Sequence, residues 1–144
     1  MKKNFFRVAV ITLALVMVFS SPAFIEPAMA RNSDYIDSYC AYLYSPGNGR
    51  VQVWFELKAN VTSDKVGAQT IILQVSDDAT NWTNLQTYRY ENYPYLIASN
   101  TISHCSYIEE SVESGHYYRA GVLLYVEDNG GSDSRFYVTD AYWI

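Results

Sequence analysis

The chain has 144 residues, ten Lys and Arg against fifteen Asp and Glu, and a formal net charge of −5. Its 23 aromatic residues nearly equal its 25 charged ones and only eleven positions are Gly or Pro, which excludes a disordered or collagen-like chain. The length accommodates one domain of ordinary size.

The chain opens with Lys2, Lys3 and Arg7, followed by an apolar run from Val8 to Phe19 broken only by Thr12. A membrane span needs about 20 apolar residues, whereas a secretory signal needs about 7 to 15. Pro22 and Pro27 then precede Ala28-Met29-Ala30, a small-x-small pattern that signal peptidase accepts. A signal peptide over 1–30 is expected, cleaved between Ala30 and Arg31, leaving one domain over 31–144 outside the cell. Removing it leaves seven basic and fourteen acidic residues, a net charge of −7. The remaining Lys and Arg are scattered singly, so no stripe exists to neutralise a run of phosphates or to hold an anionic membrane. Neither nucleic acid nor a membrane is expected as a partner of the mature chain.

From Tyr35 onward the pattern is alternation of period two, with no helical period sustained. Strands are predicted near Tyr35 to Tyr44, Val51 to Ala59, Gln69 to Val75, Trp82 to Tyr90, Thr101 to Ile108, Tyr117 to Glu127 and Arg135 to Trp143. In the second, Val51, Val53, Phe55, Leu57 and Ala59 share the inner face and Trp54 falls outside. In the sixth, Tyr118, Ala120, Val122, Leu124 and Val126 point inward, and Tyr117 and Tyr125 outward. Between strands lie Ser45-Pro46-Gly47-Asn48-Gly49, Ser76-Asp77-Asp78-Ala79 and Asp128-Asn129-Gly130-Gly131, rich in residues that tolerate positive φ. The fold expected is all-β, a single seven-stranded antiparallel β-sandwich. Tyr118, placed at the start of a long strand just after a turn, is the candidate for a tyrosine corner, its hydroxyl bonding back to the loop backbone.

The run Val75-Ser76-Asp77-Asp78-Ala79-Thr80-Asn81-Trp82, with Tyr117-Tyr118-Arg119-Ala120 and the hairpin at Asn129-Gly130-Gly131, resembles the C to C′ and F to G regions of fibronectin type III-like and immunoglobulin-like domains. With its leader, the whole chain is similar to a family of small secreted proteins of unknown function from Gram-positive bacteria. The likeness implies a fold and no chemistry. It departs from the type III pattern at Trp54, which alternation turns outward where an inward Trp is usual.

The catalytic inventory is small. His104 and His116 are the only histidines; His104 and Cys105 are strand neighbours and so point to opposite faces, and His116 lies in a turn. No nucleophile elbow, zinc helix or phosphate-cradling Gly loop is present. No enzyme, cofactor or metal is expected. Asp128 to Asp133 offers some calcium ligands, but an Asn-Gly hairpin explains the same residues without an ion. Cys40 and Cys105 are left open. A bridge would close a 66-residue loop and stabilise by about 4 kcal/mol, whereas placement two strands apart, at about 9.6 Å, would leave two thiols.

The aromatic surplus is the strongest functional signal. All fourteen Tyr and all three Trp lie beyond residue 30, more than a core of this size uses. Trp54, Tyr88, Tyr90, Tyr93, Tyr95 and Tyr125 are the candidate ligand-binding residues, because Tyr and Trp combine broad, stiff contact area with a polar tip. Cross-strand aromatic pairing accounts for the same residues without a ligand. The leading expectation is a secreted, non-catalytic module that binds a glycan or a protein. The alternatives are a self-assembling surface protein whose edge strands pair between copies, or a secreted toxin or bacteriocin-like factor.

Overall fold

The computed structural model describes residues 33–144. The expected signal peptide and the Ala30–Arg31 junction lie outside the described residues.

The described residues are nearly all β, in one curled antiparallel sheet. Its strands are β1 (Ile36–Gly47), β2 (Arg50–Ser76), β3 (Thr83–Arg89), β4 (Ile97–Ser111), β5 (Tyr117–Asp128), β6 (Gly131–Val138) and β7 (Tyr142–Trp143). One 3-10 turn, Pro94–Leu96, is the only helical segment among the described residues, and no helix there is long and apolar enough to cross a membrane. The strands alternate because their side chains do. Val51, Val53, Phe55, Leu57 and Ala59 are at most 1 % exposed, and Tyr118, Ala120, Val122, Leu124 and Val126 at most 2 %.

Two hairpins are set by left-handed residues. Asn48 and Gly49 (φ 57° and 64°) join β1 to β2, and Asn129 and Gly130 (φ 50° and 80°) join β5 to β6. Both are two-residue turns with positive φ at each central position, the twist that matches antiparallel strands.

β2 departs from the predicted elements. Two expected strands, Val51 to Ala59 and Gln69 to Val75, are parts of one 27-residue strand, while the expected Arg135 to Trp143 strand divides into β6 and β7. The first half of β2, Arg50 to Lys58, lies between β1 and the end of β4. The second half, Lys65 to Ser76, lies between β5 on one side and the start of β4 and then β3 on the other. Between Lys58 and Ser63 the register with β4 jumps, and this irregularity lets one strand serve both halves of the curl. Asn60 to Lys65, between the two expected strands, are mostly exposed and polar and break the alternation, yet they continue the same strand.

Both halves bury their inner faces in one cluster that includes Phe55, Leu57, Ile71, Leu73, Ile108 and Leu124. Tyr88 from β3 crosses to donate its hydroxyl to Glu110 on β4, and Tyr39 meets Tyr137 edge-to-face at 6.2 Å, bringing β1 against β6. Gly67 permits a close approach, since a Cβ there would run into the Leu96 carbonyl and lie 2.8 Å from Ile97 Cα.

Candidate functional site: the outer aromatic face

On the first half of the curl, β1, β2 and β4 lie side by side and their outward residues form rows across the strands. Tyr42, Trp54 and Tyr107 are direct cross-strand partners. Trp54 is stacked on Tyr107 at 4.4 Å between centroids with 22° between planes, and lies nearly parallel to Tyr42 at 6.4 Å and 5°. Tyr42 is 52 % exposed and Tyr107 42 %. Ring faces are thus turned toward one another across the three strands, which suits rigid contact with a partner surface.

A polar chain orders one side of the stack. The Trp54 indole N–H donates to Gln52 Oε1 at 2.9 Å, Gln52 Nε2 donates to Glu109 at 2.6 Å, and Arg50 Nη1 reaches Glu109 at 3.1 Å. The Gln52 hydrogen bond, with help from the Arg50 charge and against partial desolvation, holds the Glu109 carboxyl below the usual range. Tyr44 belongs to the same row as Gln52 and Glu109 and is 48 % exposed. On the other side of the stack, Cys40 and Cys105 flank Glu56 from opposite strands.

The structure places the sequence-derived candidates in four settings. Trp54 is at the centre of the outer face, half-buried between two tyrosines that alternation alone did not single out. Tyr88 is 4 % exposed and belongs to the core, so its place in a binding row is corrected. It points inward because it pairs with Ile71, and burial together with its bond to Glu110 raises its phenol pKa far above normal. Tyr90 and Tyr93 pack partly against the core, Tyr93 edge-to-face with Tyr88 at 5.1 Å and with Tyr95 at 6.2 Å. The expected alternating Tyr row does not form, because β3 ends at Arg89 and a turn intervenes before Pro94–Leu96. Tyr95 is 50 % exposed; partial burial, then the Tyr93 and Tyr107 phenols, push its pKa up. Tyr125 lies on the other half of the curl, opposite Gly67, and donates to Glu127, whose carboxylate also pairs with Lys65 at 3.3 Å.

Tyr118 is 2 % exposed and donates its hydroxyl to the Glu113 carbonyl at 2.6 Å, five residues upstream, which is the geometry of a tyrosine corner. Cys40 and Cys105 are free and exposed, with all of β2 between them, so the bridge left open above is not made. Strand spacing puts them about 9.6 Å apart, beyond bridging distance. In the Asp128 to Asp133 turn, Asp128 accepts from the Asn129 side chain and Asp133 binds Arg135 at 2.8 Å. No group of three or more His, Cys, Asp or Glu converges as a metal site among the described residues.

Tyr42 and Tyr107 carried a signal in the sequence: each lies on the exposed register of a predicted strand. Only the pairing of β1 and β4 on either side of β2 makes them neighbours of Trp54.

No protein-family model matches the chain, and no curated protein sequence does. Among solved structures it is similar to a crystallised protein from Archaeoglobus fulgidus, with a TM-score of 0.34 and 6 % identity over 76 % of this chain and 97 % of that one.

Proposed function

We propose that the chain is a secreted, non-catalytic binding module, built as a seven-stranded fibronectin III-like sandwich, that docks a protein partner on the outer face formed by Tyr42, Trp54 and Tyr107. The observation that supports it most is the exposed three-ring stack held in place by the Gln52–Glu109–Arg50 chain. Trp, Tyr and Arg dominate the energetics of protein interfaces, and a stack already ordered by its neighbours loses little freedom on binding. A protein fits better than a glycan here because Trp54 and Tyr107 each turn a face to the other, which takes those faces away from a sugar. Flat sugar rings stack on open ring faces.

The test is affinity capture from the producing organism's secreted and surface fractions, with the purified partner then titrated against wild type and folded variants. Trp54→Ala and Tyr107→Ala should each weaken binding by about 2 kcal/mol or more, roughly 30-fold. Unchanged affinity in both, or selective retention of a glycan on an array with no protein bound, would remove this reading. The self-assembly alternative is separated by sedimentation, since a monomer at micromolar concentration contradicts it.

A further inference from the structure

A second outward surface lies on the other half of the curl. Thr87, Ile72, Gly121 and Val138 form one row there across β3, β2, β5 and β6, and Arg89, Thr70, Leu123 and Phe136 form the next. Asn84, Gln74 and Arg119 form a third. None of the three rows contains an Asp or Glu, although the whole chain carries fifteen acids against ten bases.

Arg119 is held at this surface with its charge unpaired. Its Nε donates to Gln74 Oε1 at 2.8 Å, Gln74 Nε2 donates to Asn84 Oδ1 at 2.8 Å, and the guanidinium carbon lies 4.2 Å from the Trp82 ring centroid. These contacts fix the Nε–H and one face of the guanidinium, and they leave both terminal nitrogens without an acceptor. Arg50, Lys58, Lys65 and Arg135, by contrast, each reach a carboxylate. Arg119 is also partly buried, so solvent does not fully screen its charge.

Beside the guanidinium the sheet is apolar. Gly121 follows Arg119 on the same face of β5, and the Phe136 ring leans across it so closely that a Cβ there would stand 2.5 Å from the ring. Ile72 and Val138 flank Gly121 on the neighbouring strands, and Phe136 and Val138 are exposed. An oriented, unpaired cation and an exposed apolar strip therefore share one face.

We propose that this face binds a carboxylate carried on an apolar body. The carboxylate bonds to the two terminal nitrogens of Arg119, and the body lies along Ile72, the Phe136 ring and Val138. A guanidinium matches the planar, two-pronged geometry of a carboxylate, and one already stacked and bonded loses little freedom on binding. A cationic ligand finds no carboxylate in these rows, and a neutral apolar one leaves the terminal nitrogens unused. The same chemistry belongs to a free aliphatic acid and to the C-terminal carboxylate of a peptide ending in an apolar residue. The Tyr42, Trp54 and Tyr107 face is on the first half of the curl, and carboxylate binding does not depend on it.

The experiment is an NMR titration of the isotope-labelled protein with hexanoate, hexanol and hexylammonium, and separately with an acetylated peptide ending in leucine as the free acid. Hexanoate is expected to shift the Arg119 Nε–H, the Trp82 indole N–H and the Gly121 and Val138 amides saturably at millimolar concentration. It should bind about ten-fold more tightly than hexanol, the contribution of one charge-assisted pair, and hexylammonium should give no saturable shift of these signals. Arg119→Gln should remove the preference for hexanoate over hexanol, and Arg119→Lys, which keeps the charge and loses the planar pair of donors, should weaken hexanoate about three-fold or more. Arg89→Gln, which removes another positive charge from the same face, should leave hexanoate binding unchanged. Binding of the peptide at or below the hexanoate concentration identifies a peptide terminus as the source, and weaker binding a free acid; either supports the site. No saturable shift by hexanoate, equal affinity for hexanoate and hexanol, full hexanoate affinity in either Arg119 variant, or a loss in Arg89→Gln as large as in Arg119→Gln overturns the proposal.

Discussion

Replacing Tyr118 by Phe removes a single oxygen atom from the folded protein, and its cost can be worked from the structure. The ring is 2 % exposed and stays where it is, so no cavity opens and the hydrophobic contribution is unchanged. What is lost is the 2.6 Å bond to the Glu113 carbonyl. A net hydrogen bond contributes about 0.5–1.5 kcal/mol, and a partly buried acceptor left without its donor adds to this, so a loss of about 1–2 kcal/mol is expected. With an unfolding entropy of about 2.1 cal/mol/K per residue over the 112 described residues, that loss lowers Tm by roughly 4–8 °C. Urea denaturation gives the free energy from the midpoint at constant slope, and a thermal scan gives the Tm. Hydrogen exchange adds a local readout: the Gly115 amide, bonded to Ile144 inside the same loop, should lose protection before the β2 and β5 core amides do. A stability within 0.3 kcal/mol of wild type, with Gly115 protection unchanged, would refute the corner as a brace of that loop.

A double-mutant cycle on Trp54 and Tyr107 by urea denaturation should give a coupling of about 0.5–1.5 kcal/mol, and the cycle on Tyr42 and Trp54, at a longer 6.4 Å, a smaller one; zero coupling in both would mean the stack does not persist in solution. Gly67→Ala is expected to cost about 2–3 kcal/mol, because the new methyl meets the Leu96 and Ile97 backbone on a neighbouring segment rather than a side chain that could move aside. Acid should destabilise the fold as follows: Asp78 and Glu109 have pKa values lowered by the bonds they accept in the native state, so their contribution is complete above the unfolded carboxylate range and is lost as pH falls below about 4. The drop in urea midpoint between pH 5 and pH 2.5 should shrink in Asp78→Asn. Cys40 and Cys105 should both react with a thiol reagent in the native, unreduced protein, giving two thiols per chain; none would indicate a bridge.

Much of the β-structure was legible locally. The alternation in Val51 to Ala59 and Tyr118 to Val126 determined the inner faces because a strand's side chains reverse direction at every residue, whatever the rest of the chain does. Asn48-Gly49 and Asn129-Gly130 determined two hairpins because few other residue pairs accept positive φ at both central positions. The Tyr118 corner could be placed from its position after a turn. Trp54 was assigned to the outer face for the same period-two reason.

What alternation does not contain is register between strands distant in sequence. Tyr42 and Tyr107 are 65 residues apart and become neighbours of Trp54 only because β1 and β4 pair on the two sides of β2. The same pairing keeps Cys40 and Cys105 apart. Tyr88 was misread because exposure of a β3 residue depends on which half of the curl covers it, and Glu110, 22 residues further on, supplies the buried partner. His116 likewise meets Asp77, 39 residues away, only because the sheet's curl brings two turns together. Local sequence determined which residues face in, which face out and where the chain turns. Tertiary structure decided which outward aromatics form one surface and which distant turns meet, because those relations depend on the pairing and bending of a sheet rather than on any single strand.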